Sequence, residues 1–193
     1  MRRALLLLAL LTLAAIVVVG LTQAGGEDQP QATTPTGAAA VRALAGAPPE
    51  LARLHGQASE LLGGGVAAYR ARLRELRGWP VVVNKWASWC GPCRFEFPFF
   101  QSQAVALGRR VAFLGIDSGD TRSAAERFLR RFPVPFPSYE DPSERIARVA
   151  GAPANFPITI FYSATGERTF VHQGAFPSEA ALAKAIRRYA LRP

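Results

Sequence analysis

Residues Val81 to Cys93 run from an unbroken apolar segment into two cysteines spaced two residues apart, and no other passage restricts the chain as much. Pro80 precedes Val81-Val82-Val83, and the run continues to Trp86, the pattern of a strand buried on both faces. Pro92 suits a first helical turn, so a helix is expected from Cys90 onward, with Pro98 inside it and expected to kink it. Downstream, strand and helix alternate. Val111 to Ile116 reads as a second buried strand, ended by Asp117-Ser118-Gly119. Ser123 and Glu126 have capping-box spacing ahead of a stripe of Ala125, Phe128, Leu129 and Phe132. Three prolines between Phe132 and Pro137 impose a loop, and Ser143 to Ala150 reads as a short helix. Ile158 to Tyr162 is a third strand, joined through Ala164-Thr165-Gly166 to an antiparallel partner at Glu167 to His172. Ser178 caps a last helix with Leu182, Ala185, Ile186 and Tyr189 inward. A β-α-β-α unit followed by β-β-α gives an α/β fold, a central mixed sheet flanked by helices.

The 193 residues suit one core, because the first quarter is of another character. Arg2 and Arg3 lead into Ala4 to Leu21, 18 residues without a charge. That length exceeds the ~7–15 residues of a cleaved signal core and reaches the lower end of a spanning helix. Residues 1–21 are therefore expected to be a signal-anchor, a single-pass transmembrane helix, with a signal peptide cleaved after Ala24 as the alternative. Either puts the remainder outside the cytoplasm, at the cell membrane or secreted. Residues 22–49, rich in Gly, Pro, Thr and Ala, read as a flexible linker, and residues 50–77 as a helical extension. Its two helices, Glu50 to Leu62 and Val66 to Arg77, are separated by Gly63-Gly64-Gly65. The domain proper then spans 78–193. Net charge is +9 from 21 Arg and 2 Lys against 14 acids, but the arginines are scattered over every expected helix instead of forming an aromatic-laced patch. Nucleic acid is accordingly not an expected partner.

Cys90 and Cys93 are the only cysteines, which excludes a disulfide scaffold and a four-cysteine zinc site. At the start of a helix they can close a small disulfide. The free N–H groups and positive potential there stabilise a thiolate at Cys90, making it the attacking sulfur, with Cys93 one turn further in to resolve it. On spacing alone an inert disulfide or half of a metal site remains open. Met1 is the only Met, and neither His55 nor His172 lies at ligand spacing, so no metal is expected and both histidines read as packing or surface residues.

The stretch Val83-Asn84-Lys85-Trp86-Ala87-Ser88-Trp89-Cys90-Gly91-Pro92-Cys93, with Glu96, Pro98, Phe156-Pro157, Gly166 and Gly174, resembles the thioredoxin superfamily. Within it, the resemblance is to the membrane-anchored TlpA/ResA-type thiol-disulfide oxidoreductases, over roughly residues 78–190. It implies a thioredoxin-like fold, a redox-active disulfide Cys90–Cys93 and no other cofactor, with Trp89, Gly91 and Pro92 forming the active-site loop. It also implies that Glu96 carries the proton of Cys93, where spacing alone equally allows a solvated first-turn glutamate. Asn84 matches the position at which cytoplasmic thioredoxins carry a buried Asp. Phe156 and Pro157 match the cis-proline segment that positions substrate. Two features depart from the group: helical stretches replace the usual β-hairpin ahead of the active-site strand, and Lys85 replaces the common aromatic.

The expected activity is thiol-disulfide exchange with protein thiols or disulfides outside the cytoplasm. The expected protein is a monomer, coupled to a membrane electron donor or acceptor. A reducing role is expected, for example on apocytochrome c thiols during cytochrome c maturation. The alternatives are an oxidant in the folding of secreted proteins and, in another class, a copper-binding metallochaperone module. A peroxidase would call for a lone, threonine-flanked cysteine instead of the pair.

Overall fold

Strand β2 (Val81–Trp86) runs through the middle of a six-stranded mixed sheet, and all six of its residues are buried. The computed structural model describes residues 37–192; the expected membrane or signal helix at 1–21 and the start of the expected linker lie outside them. Among the described residues no helix is long and apolar enough to cross a membrane.

In chain order the elements are α1 (Gly37–Leu44), α2 (Pro49–Gly56), β1 (Leu61–Leu62), α3 (Gly65–Glu75), β2, α4 (Gly91–Leu107), β3 (Ala112–Ser118), α5 (Arg122–Arg131) and β4 (Ser138–Asp141). After these come α6 (Arg145–Ala150), β5 (Ile158–Tyr162), β6 (Arg168–Gln173) and α7 (Glu179–Tyr189). The sheet order is β1-β4-β3-β2-β5-β6. The pairs β1–β4, β4–β3 and β3–β2 are parallel; β2–β5 and β5–β6 are antiparallel. Alternation along β2 sends Val82 and Trp86 to one face, among Phe97 and Phe100 of α4, Phe128 of α5, and Leu182 and Ile186 of α7. Val81 and Val83 join the opposite core with Leu51 and Leu54 of α2, Tyr69 of α3 and Ile146 of α6. Pro98 falls within α4, which continues through it to Leu107.

The structure departs from the sequence expectations in four places. Residues 37–44 of the expected linker form α1, whose alanines favour helix and whose Leu44 is buried. The helix expected from Glu50 to Leu62 stops at Gly56, and Leu61–Leu62 form β1 instead. That edge strand is held by pairing partners far along the chain: Ser59 N–H donates to Phe136 O and Ser138 N–H to Glu60 O. Residues 50–77 also contribute to the sheet and core: β1 extends the sheet, and Leu51, Leu54, Tyr69 and Leu76 fill one of its cores. Strand β4 was not expected from Ser-Tyr-Glu-Asp, yet Ser138, Tyr139 and Asp141 are buried. Helix α5 is capped by Thr121, whose hydroxyl accepts from Ala124 N–H, and not by Ser123. Glu126 accepts instead from Arg122 Nε at 2.9 Å.

Polar residues on β4 connect the layers. Ser138 Oγ accepts from Trp86 Nε1 at 3.1 Å, across a site where Gly115 is required: a Cβ there would lie 2.0 Å from Ser138 Oγ. Asp141 accepts from Ile146 N–H at 2.9 Å, Ala147 N–H at 2.8 Å and the Ser118 hydroxyl at 3.2 Å, satisfying the first amides of α6. Asp141→Ala leaves three buried donors, two backbone amides and the Ser118 hydroxyl, without this acceptor and should lower unfolding free energy by roughly 1–3 kcal/mol. Urea titration of the oxidised protein measures this; a midpoint equal to that of the parent would mean that α6 is not capped from β4.

Candidate active site

The end of β2 leads through Ala87-Ser88-Trp89 to Cys90, which is the N-cap of α4. Cys90 Sγ accepts from Cys93 N–H at 3.1 Å, so one of the free first-turn amides points at this sulfur. The two cysteines are joined in a disulfide, with Cys90 4% exposed and Cys93 fully enclosed. Gly91 and Pro92 between them are exposed. A thiolate at Cys90 would sit on the positive end of a 17-residue helix, an environment that lowers a cysteine pKa.

Glu96 lies one turn beyond Cys93 and is fully buried, so the reading of it as a solvated first-turn glutamate is overturned. Its two oxygens are each held by one donor. Asn84 Nδ2 donates to Oε1 at 2.9 Å, and Phe176 N–H donates to Oε2 at 3.0 Å. Burial pushes the Glu96 carboxyl up to about 7, with the Phe176 and Asn84 hydrogen bonds pulling back against it. Asn84 can serve both protonation states. Its amide N–H donates to the carboxylate, while its Oδ1 is buried with no partner, and an amide that presented this oxygen instead could accept from a protonated Glu96. An aspartate at 84 has no N–H to donate.

A second acid was missed by sequence reasoning, which took Asp117 only as the end of a strand. Asp117 is buried at the end of β3, paired in register with Trp86 of β2. Burial pushes its carboxyl up to about 8, and Asp120, Glu140 and Asp141 add to the shift. Asp120 in turn accepts from Ser88 N–H at 2.6 Å, directly ahead of Trp89. The available signal was two acids three residues apart at the end of a buried strand. Nothing in the sequence alone brought them to the cysteine loop.

Phe156 and Pro157 are joined by a cis peptide, as the resemblance implied. The Phe156 ring meets Trp89 edge-on, with centroids 4.9 Å apart. Trp89 is 58% exposed, and its Nε1 donates to Gly119 O at 3.1 Å. Trp89, Cys90, Phe156 and Pro157 therefore share one end of the sheet. Of the expected site residues the structure brings together the cysteines, Glu96, the Trp89–Pro92 loop and Phe156–Pro157. His55 and His172 are elsewhere in character: His55 sits between Pro135 O and Gly108 O, and His172 stacks on Phe176 with centroids 4.0 Å apart. Among the described residues no cluster of acids, histidines and cysteines is disposed to hold a metal ion.

Comparison with known proteins agrees with this geometry. The AhpC/TSA family pattern matches residues 60–171. The thiol-disulfide oxidoreductase ResA of Bacillus subtilis is 30% identical over 78 residues, 40% of this chain and 44% of that protein. The thiol:disulfide interchange protein DsbE homolog of Paracoccus denitrificans is 35% identical over 99 residues, 51% of this chain and 52% of that protein. The chain thus spans about half the length of these curated relatives. Among solved structures, a secreted Mycobacterium tuberculosis disulfide oxidoreductase homologous to E. coli DsbE superposes with a TM-score of 0.54 at 26% identity, covering 60% of this chain and 85% of that one.

Both raised carboxyls make stability depend on pH in one direction. Each is protonated in the folded state above the ordinary carboxylate range near pH 4, so folding gains stability that is complete below that range. The gain is lost as pH rises through about 7 for Glu96 and about 8 for Asp117. Unfolding free energy should therefore fall between pH 4 and 8. Glu96→Gln and Asp117→Asn should each flatten part of that slope, by at most on the order of 3 kcal/mol for Glu96 and 6 kcal/mol for Asp117. Denaturant titrations across this range read the effect, and parallel slopes in parent and variants would mean that neither group is held protonated.

Proposed function

The chain belongs to the AhpC/TSA family, and on that premise we propose that it is a thiol-disulfide oxidoreductase that exchanges disulfides with protein substrates through Cys90 and Cys93. The observation that carries the reading is a closed cysteine pair at a helix N-terminus, with a buried acid one turn behind it. In the reducing direction, the Cys90 thiolate attacks one sulfur of a substrate disulfide. The substrate S–S bond breaks, a mixed disulfide forms at Cys90, and the first substrate thiolate leaves. Glu96 then takes the proton of Cys93, whose thiolate attacks Cys90 Sγ and expels the second substrate thiol. Two electrons have passed to the substrate: the second sulfur leaves with the proton that Glu96 took from Cys93, the first thiolate takes its proton from solvent, and Cys90–Cys93 is left as a disulfide. A further dithiol donor must reduce it again. Phe156 and Pro157 line the approach opposite Trp89, where backbone groups can pair with an extended substrate segment.

An extracytoplasmic site of action is part of the proposal, supported by the charged start and the uncharged run Ala4 to Leu21. A reducing role, of the kind needed to prepare cytochrome c thiols, is supported by Gly91-Pro92, which in the thioredoxin superfamily belongs to reducing members. Potentials of such pairs span about −270 to −120 mV, and the Cys90–Cys93 couple should fall in the lower half of that span. A value near −120 mV in a glutathione titration would instead identify an oxidant.

Roles within the pair are separable by alkylation. Limiting iodoacetamide at pH 7 should label Cys90 of the reduced protein well before Cys93. Cys90→Ser should abolish reduction of a protein disulfide, and Cys93→Ala should accumulate mixed disulfides. First labelling at Cys93, or an active Cys90→Ser protein, contradicts the assignment.

A further inference from the structure

Lys85, the residue that stands where an aromatic is usual, is fully buried on the central strand, facing α6. Its ammonium uses all three protons: Nζ donates to Glu144 Oε2 at 2.9 Å, Pro153 O at 2.9 Å and Ala154 O at 3.2 Å. The same nitrogen lies 3.9 Å above the centroid of the Phe156 ring. Apart from Glu144, every partner belongs to the segment Pro153–Phe156 that leads into Pro157. That segment is irregular, and among the described residues no backbone-to-backbone hydrogen bond holds it. Lys85 supplies the fixation that a sheet or helix ladder supplies elsewhere.

Contacts continue from this segment to the loop that carries Cys90. Phe156 abuts Trp89, and Trp89 Nε1 is tied to Gly119 O. A Cβ placed on Gly119 would stand 3.7 Å from Glu144 Oε1, and the other oxygen of Glu144 returns to Lys85. Glu144 occupies the left-handed backbone region at φ 55°, which side-chain-bearing residues seldom adopt, and its side chain faces the buried ammonium. An aromatic at 85 would fill the same volume but would give the Pro153 and Ala154 carbonyls no donor.

We propose that Lys85 is a positioning residue for substrate: through Pro153, Ala154 and Phe156 it fixes the segment that leads into Pro157 beside Trp89, and so sets the affinity for extended polypeptide disulfides. The sulfur chemistry stays with Cys90. This inference rests on the thiol-disulfide exchange proposed above.

The test compares two disulfides with the full-length reduced protein. One is a short synthetic peptide closed by a single disulfide, whose backbone must lie along the Phe156–Pro157 segment to present its sulfurs. The other is hydroxyethyl disulfide, which reaches Cys90 without a peptide backbone. Lys85→Met keeps the length of the side chain and removes its donors and charge. It should raise KM for the peptide about tenfold with kcat held within about twofold, and change the rate with hydroxyethyl disulfide by no more than about twofold. Glu144→Gln, at a half-exposed position, should move KM in the same direction by less, and decides the matter alone if Lys85→Met does not fold. An unchanged peptide KM, or an equal loss toward both disulfides, overturns the positioning role while leaving the exchange activity standing. A parent protein inert toward both disulfides removes the activity and the inference together.

Discussion

Three consecutive residues of the central strand, Asn84, Lys85 and Trp86, each carry a polar atom into an interior where an unpaired donor costs about 1–3 kcal/mol. Strand alternation sends Asn84 and Trp86 to one face and Lys85 to the other. Each then requires a partner at a defined place: Glu96 on α4, Glu144 and the Pro153–Ala154 carbonyls, and Ser138 on β4. These bonds bind the central strand to α4 on one side, to the loop ahead of Pro157 on the other, and to the strand two positions away. The geometry around the cysteines follows from satisfying those three groups.

The same burial sets the electrostatics. A helix N-terminus stabilises negative charge at Cys90, while the enclosed carboxyls of Glu96 and Asp117 are pushed toward their neutral forms. Negative charge near the cysteines is thus favoured at the Cys90 sulfur, while burial favours the protonated form of the two carboxyls. Lys85 adds no free charge to this arrangement, because Glu144 neutralises it and its remaining protons are taken up by carbonyls. Its contribution is geometric: it anchors a loop that has no ladder of its own.

Local chemistry made the core of the site legible. A buried apolar run followed by Cys90-Gly91-Pro92-Cys93 specifies a strand, a tight turn and a helix start within one short passage, and each of these is decided by residues adjacent in sequence. The same holds for β3, β5, β6 and the cap at Ser178. Elements made by distant pairing were not legible. Leu61–Leu62 is too short to show a period, and it becomes a strand only because Ser138 and Tyr139 lie alongside. Strand β4 has the composition of a loop, and its polar side chains are tolerated because Trp86, Ser118 and α6 satisfy them.

By itself, then, the sequence determined the alternating α/β core, the identity of the two sulfurs and the helix that would hold them, since propensity, capping and hydrophobic period act over a few residues. The tertiary structure alone decided that Glu96 is enclosed rather than solvated, that Asp117 shares its end of the sheet, and that Lys85 is bound to the segment before Pro157. The physical reason is that desolvation and hydrogen-bond pairing depend on what packs from elsewhere in the chain. Residue 84 meets 96, 96 meets 176, and 85 meets 144 and 153, contacts that no local pattern encodes.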